Sequence, residues 1–264
     1  MVVSHNQAQP LERCLESIAR SDGRADCQVI VIDNGSIDGS PQLESRFPAL
    51  QWIKLPKNFG LTKAWNIGWR AADSPYVLFL HADTELEPGV IARLADALDA
   101  HNEAVAVCPL LVDAEGRPAP QLGTFPPTGE WRPADTQSDQ PVPVDYPRGA
   151  ALMARVFYIK AIRQIDERYG QFGADADLAA QIGRANKKIL LLPDVKVRHS
   201  GSGGYSAAER ADFLLARAAF IGKYQGFGAG LQARLGTIFG PLFGFRFGEL
   251  SRTIAGQRID GTQQ

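Results

Sequence analysis

The chain has 264 residues, 45% hydrophobic and 22% charged, which is the composition of an ordinary globular protein and excludes a disordered or fibrous one. A formal net charge of -1 leaves no basic surplus for a phosphate backbone, so nucleic acid is excluded as a partner and any phosphate must be met locally. Cys14, Cys27 and Cys108 are odd in number and widely spaced, the pattern of reduced thiols in the cytoplasm and not of a disulfide framework or a zinc site.

The opening MVVSHNQ has no secretory pattern, and no stretch reaches the roughly 20 apolar residues of a membrane span. The expectation is a cytoplasmic protein, peripheral at the inner face of a membrane if its tail attaches it there. Short apolar runs then alternate with helical patterns. Val2 to Ser4 is followed by Leu11, Cys14, Leu15 and Ile18 at helical spacing, then by strands at Val29 to Ile32, Trp52 to Leu55 and Val77 to Leu80. Ile91, Leu94, Ala95 and Leu98 mark a further helix before a strand at Ala104 to Leu110. This alternation predicts an α/β fold with a mostly parallel, doubly wound sheet, and ligands at the carboxyl ends of its strands.

Eight prolines between residues 113 and 147 rule out regular helix or central strand there and predict a long functional loop. RGAALMARVFYIKAI reads as a strand running into a helix, Asp175 to Ala185 as a second helix, and KILLLP and VKVRHS as two short strands. A long amphipathic helix is expected over Ala207 to Tyr224, followed by a Gly- and Phe-rich tail that carries Phe239, Phe243, Phe245 and Phe247.

Acidic residues stand where the strands end. Asp33 and Asn34 follow the second strand in VIVIDNGSIDGS, with a helix start at Asp38; a carboxylate there accepts from a base or ribose, although Asp-Asn-Gly-Ser is also simple turn chemistry. A calcium loop is a poor fit, because Gly35 and Ile37 offer no side-chain oxygen. Asp83 leaves the strand VLFLH, where a carboxylate on a rigid end suits a hard cation bridging two phosphates; His81 beside it reads equally as a structural histidine. Asp175 and Asp177 occupy a first helical turn, where the macrodipole favours carboxylates in any case, and residues two apart diverge, so at most one points into a site. His199 ends a strand before glycines and could coordinate a metal. Asn58, Gly60, Asn66 and Gly68 in KNFGLTKAWNIGW form a loop entering a helix with exposed amides, suited to anionic or sugar ligands.

In their order these segments resemble the inverting glycosyltransferases of family 2, most closely the rhamnosyltransferase-like bacterial members that build cell-surface polysaccharide. The segments are Asp33 to Ser36, Asn58 to Gly68, Asp83, GAALM, IDERYGQFGADADL and PDVKVRH. The resemblance implies a GT-A, Rossmann-like domain over residues 1–204 with a C-terminal helical extension over 205–264. It implies a nucleoside-diphosphate sugar donor, a sugar or lipid-linked sugar acceptor, and a divalent cation, Mg or Mn, held by Asp83 and His199. Asp175 matches the general base. Ser4, His5, Asn6, Asp33, Asn34, Asn58, Gly60, Lys63, Asn66, His81, Ala82 and Asp83 match the donor-binding positions. The chain departs from the family pattern where His81-Ala82-Asp83 replaces Asp-x-Asp and Ala174-Asp175 replaces Glu-Asp.

Two other readings compete. One is a nucleotide-sugar-binding protein with impaired catalysis, which the His81 and Ala174 departures favour. The other is a sugar nucleotidyltransferase, which SHNQAQP opposes by lacking a Gly-rich basic loop. For the tail, a packed helical cap competes with an interfacial segment carrying Arg234, Arg246 and Arg252 toward an anionic bilayer.

Overall fold

Strand side chains alternate between two faces, and in this chain each face meets its own layer of helices. The computed structural model describes residues 1–21, 27–135, 139–201, 205–244 and 246–261, without the side chain of Phe243. In β1 (Val2–Ser4), Val2 joins Leu11, Leu15, Leu94 and Leu98 on one face, and Val3 joins Ile32, Trp65 and Phe79 on the other. The first layer is α1 (Ala8–Arg20) and α3 (Val90–Ala100). The second is α2 (Gly60–Arg70), α4 (Val156–Ala161), α5 (Ala174–Arg184) and α6 (Ala207–Gln225). Coverage on both faces is why β2 (Ile30–Asp33) is an unbroken apolar run up to its terminal Asp33.

β3 (Gln51–Lys54), β2, β1 and β4 (Tyr76–His81) lie side by side and parallel. Beyond them the sheet is mixed. β8 (Ala151–Arg155) runs antiparallel between β4 and β6 (Ala104–Val112), and β9 (Lys188–His199) runs parallel to β6. β5 (Thr84–Leu86) and β7 (Val142–Val144) pair antiparallel with the two ends of β9. The expected parallel order therefore describes the first four strands. β8 reverses because the Pro-rich loop delivers the chain to the carboxyl edge of β4, from which it can only run back.

KILLLP and VKVRHS form one strand of 12 residues and not two. Its register with β6 shifts between Leu192 and Lys196, and this irregularity absorbs Pro193. Pro143 lies in β7, which pairs only at an edge, as its missing N–H requires. The helix expected at Asp38 is a 3-10 turn over Ser40–Ser45, with the Asp38 carboxylate accepting from the Ser40 amide at 3.0 Å.

The C-terminal helices are α6, α7 (Phe227–Phe243) and α8 (Phe247–Ala255). α6 opens on a capping box between Ser206 and Glu209 and sends Ala216 and Phe220 into the core. The expected boundary at residue 204, and Phe245, lie outside the described residues. Among those described, no helix is long and apolar enough to cross a membrane.

Asn66 shows how the sheet side is clasped. Fully buried on α2, it donates to the Ile165 carbonyl at 2.8 Å and to Glu167 at 2.9 Å, and it accepts from Trp69 Nε1 at 2.9 Å and from the Ile165 amide at 3.1 Å. Asn66→Ala would orphan two buried donors, so we expect a loss on the order of 3 kcal/mol, or roughly 10 °C of melting temperature. A melting curve unchanged from wild type would show that the clasp is dispensable.

Candidate active site

The carboxyl ends of β1, β2 and β4, together with the start of β8, open on one cavity of about 410 Å³. His81 and Asp83 line it, and these two and His199 behind them each place a ligand atom within 4.8 Å of the others. Asp83 immediately precedes β5, and His199 ends β9 opposite Thr84, so the ladder between β5 and β9 fixes the pair. His199 Nε2 lies 3.4 Å from Asp83 Oδ1. Burial acts to raise the Asp83 pKa, but the His199 hydrogen bond and the neighbouring imidazoles outweigh it and hold the carboxyl at about 2. Burial pushes His81 down to about 4, so its imidazole is neutral near pH 7. Its Nε2 is buried without a hydrogen-bond partner.

Two neutral-capable imidazoles and an ionised carboxylate, one of them with an orphaned nitrogen, fit a divalent cation of the first transition row. Buried polar atoms are normally satisfied, and a cation would satisfy this one. His199→Ala is expected to weaken metal-dependent nucleoside diphosphate binding by roughly 10-fold or more, with the metal-free melting temperature lowered by no more than about 4 °C. Calorimetry and melting of the same preparation check this. A large loss of melting temperature without metal would make His199 a structural residue.

Asp175, in the first turn of α5, lines the same cavity. Its carboxylate accepts from the amides of Ala176 at 2.8 Å and Gly149 at 3.2 Å and from the Tyr146 hydroxyl at 3.3 Å. Enclosure raises its pKa above the ordinary Asp range, against the pull of those amides, Arg148 and Tyr146. Gly149 is required for the approach, because a Cβ there would lie 2.6 Å from the Trp65 ring and 3.0 Å from Asp175 Cβ. Asp177 diverges as helix geometry demands. Fully buried, it accepts from Lys223 Nζ at 2.7 Å, from the hydroxyls of Tyr224 at 2.8 Å and Tyr169 at 3.3 Å, and from Gln181 at 2.8 Å.

Of the other residues singled out in the sequence, His5, Asn34 and Asn58 line the cavity. The Asn34 amide locks the second strand end to the next loop, donating to Asn58 Oδ1 at 2.9 Å and to the Gly60 carbonyl at 3.2 Å, and accepting from the Phe59 amide at 2.9 Å. Gly60, at φ +77°, has no space for a side chain, since a Cβ would meet the Ile259 carbonyl at 2.2 Å. Asn6 accepts from the Ile37 amide at 2.8 Å, and Asp33 from the Ser36 amide at 3.1 Å. Lys63 sits 4.8 Å over the Phe59 ring, Ser4 Oγ is buried without a partner, and Ala82 is fully buried in the α1–α3 core. Ser4, Asn6, Asp33, Gly60, Lys63, Asn66, Ala82 and His199 do not line the cavity.

Sequence reading missed Arg148, Trp131, Phe172 and Tyr205, which complete the wall beside Asp175. The Arg148 guanidinium stacks 5.5 Å from the Trp131 ring, and its charge acts on the Asp175 carboxylate. Its position immediately before GAALM was the available signal for Arg148; Trp131, Phe172 and Tyr205 are brought in by loop and tail folding that no local pattern marks.

The family model for glycosyl transferase family 2 matches residues 1–160. The chain is similar to the N-acetylglucosaminyl-diphospho-decaprenol L-rhamnosyltransferase of Mycobacterium tuberculosis (strain CDC 1551 / Oshkosh), with 28% identity over 229 residues that cover 75% of this chain and 74% of that one. Its fold is similar to that of GalNAc-T7 crystallised with UDP, GalNAc and Mn2+, with a TM-score of 0.68 and 15% identity over 83% of this chain and 46% of that chain. It is also similar to the mannosyltransferase PcManGT from Pyrobaculum calidifontis in complex with GDP-Man and Mn2+, with a TM-score of 0.60 and 18% identity over 83% of this chain and 61% of that chain. The chain thus spans about half to two thirds of the length of those two solved chains, and at these identities they establish the GT-A fold alone. With the family model matched over more than half of its length, the chain belongs to glycosyl transferase family 2 and is a glycosyltransferase.

Proposed function

We propose that the chain transfers a sugar from a nucleoside-diphosphate donor to a hydroxyl of a saccharide acceptor, with inversion at the anomeric carbon. The observation that carries this is one cavity whose wall holds the Asp175 carboxylate together with His81 and Asp83, the two members of the candidate metal set with His199 that line it. The donor's diphosphate lies at the metal set, and the acceptor hydroxyl lies against Asp175.

Asp175 accepts the proton of the acceptor hydroxyl as its oxygen bonds to the anomeric carbon, and the bond from that carbon to the phosphate oxygen breaks with its electron pair leaving on the diphosphate. Attack from the side opposite the leaving group inverts the centre. A raised carboxyl pKa makes Asp175 a stronger base than an exposed Asp, and the Gly149 and Ala176 amides fix its oxygens. A bound cation would neutralise the departing diphosphate. His81, Asp83 and His199 would hold it, and their two imidazoles favour Mn over Mg. Arg148, stacked on Trp131, supplies a second positive charge near the leaving group or an acceptor phosphate.

The acceptor is a lipid-linked saccharide in cell-surface polysaccharide synthesis, used at the cytoplasmic face of the membrane; the similarity to the mycobacterial rhamnosyltransferase supports this reading. A thermal-shift screen of sugar nucleotides with Mg or Mn tests the donor side. One sugar nucleotide should stabilise the protein in a metal-dependent way, and no stabilisation by any of them would oppose the reading.

A further inference from the structure

α7 is patterned inside out for a helix covered only by water. A surface helix normally turns its large apolar side chains inward and its polar ones out. Here Ala229, Gly230, Ala233, Thr237 and Pro241 face the body of the protein, while Phe227, Leu231, Leu235, Phe239 and Leu242 recur on the outer face. Phe227 is 84% exposed, and the other four are between 41% and 50% exposed. The inward packing depends on small residues, since a Cβ on Gly230 would lie 2.5 Å from Gly222 Cα on α6. The outer stripe extends roughly 23 Å along the helix axis.

The segment that carries the stripe is cationic in balance. From Phe227 to Ala255 the chain holds Arg234, Arg246 and Arg252 against a single acid, Glu249. Glu249 is buried and paired with Arg210 and Arg246, so it offers no exposed negative charge. Arg234 turns inward to the Thr253 carbonyl, which leaves the outer face of α7 itself without charge.

We propose that this face of α7 lies in the interface of a bilayer containing anionic lipid, with Arg246 and Arg252 at the headgroups. A continuous apolar stripe beside an arginine-rich flank is complementary to such a surface. A second copy docking through the same face would bring two arginine-rich flanks together. The same helical assembly reaches the active cavity, because Ser206 and Glu209 at the start of α6 and Ile259 after α8 line it. The surface would therefore hold the cavity beside a lipid-borne acceptor; only this last point rests on the transferase reading, and the binding itself does not.

The test is sedimentation of the full chain with phosphatidylglycerol–phosphatidylcholine vesicles and with phosphatidylcholine vesicles, for wild type and Leu231→Glu/Leu235→Glu. Wild type should bind the anionic vesicles, and the variant should bind at least about 10-fold more weakly with an unchanged melting curve. If the double variant does not fold, Leu235→Gln alone should still weaken binding measurably. Absence of wild-type binding, or equal binding by a folded variant, would overturn the proposal. So would self-association in solution that the substitutions abolish without any vesicle binding. Sugar transfer to a water-soluble acceptor, measured in parallel, should be the same in both proteins. Vesicle binding that behaves as expected while transfer is absent in both would sustain the membrane surface and count against the transferase reading.

Discussion

Asp175→Asn is expected to lower sugar transfer by roughly 100-fold or more while donor affinity stays within about 2-fold. The amide preserves shape and its single oxygen can accept from either the Ala176 or the Gly149 amide, though not from both, and it cannot take a proton. The control is Asp177→Asn, which sits on the same helical turn and faces Lys223, Tyr224 and Tyr169 in the interior. That variant should lose stability, because it weakens the coupling of α5 to the partly buried Lys223 ammonium of α6, and its remaining folded fraction should turn over normally. The pH profile adds a sign. A base must be ionised to act, and enclosure raises the Asp175 pKa, so the acid limb of transfer should lie above the range of an exposed Asp. Near-wild-type transfer by Asp175→Asn would remove the residue from the mechanism, and a selective collapse of turnover in Asp177→Asn would move the base two residues along.

Asp83→Ala is expected to abolish the metal-dependent part of UDP or dTDP binding, a loss of roughly 100-fold, because it takes the one carboxylate from the His81–Asp83–His199 set. The loss should exceed that of His199→Ala, since the carboxylate alone carries negative charge toward the cation. Its pKa of about 2 keeps it ionised across the working range, so loss of the carboxylate's charge should not limit binding near neutral pH. Titration with and without chelator separates the two components. Equal nucleotide affinity in chelator and in Mn would exclude the metal from donor binding.

The strand ends were legible because the sequence marks them twice, first by an apolar run and then by an acid or histidine that a covered strand would not tolerate. Asp33, Asp83 and His199 all follow that rule, and the sheet places all three at one edge. The divergence of Asp175 and Asp177 was likewise legible from helix geometry, although not which of them faces the cavity. That choice depends on Lys223, 46 positions from Asp177, and no local pattern reports a partner so distant. Asn66 illustrates the opposite limit. Its place in KNFGLTKAWNIGW matches a ligand-binding segment, yet its amide is consumed by residues 99 and 101 positions away, and it stands outside the cavity wall. Pro193 pointed to a strand break, and a register shift with β6 accommodated it. Trp131 and Tyr205 were invisible for the reason loops usually are, since their positions follow from tertiary packing and not from periodicity.

The central claim is a single displacement at the anomeric carbon, with Asp175 opposite the diphosphate. Its most direct test is the anomeric configuration of the new linkage, read by proton NMR from product made with one sugar nucleotide of known configuration and one acceptor, with nucleoside diphosphate release measured alongside. Acceptor-dependent release should be matched one to one by a product of inverted configuration, formed by wild type and not by Asp175→Asn. A product of retained configuration, or release that never yields a glycoside, would contradict it.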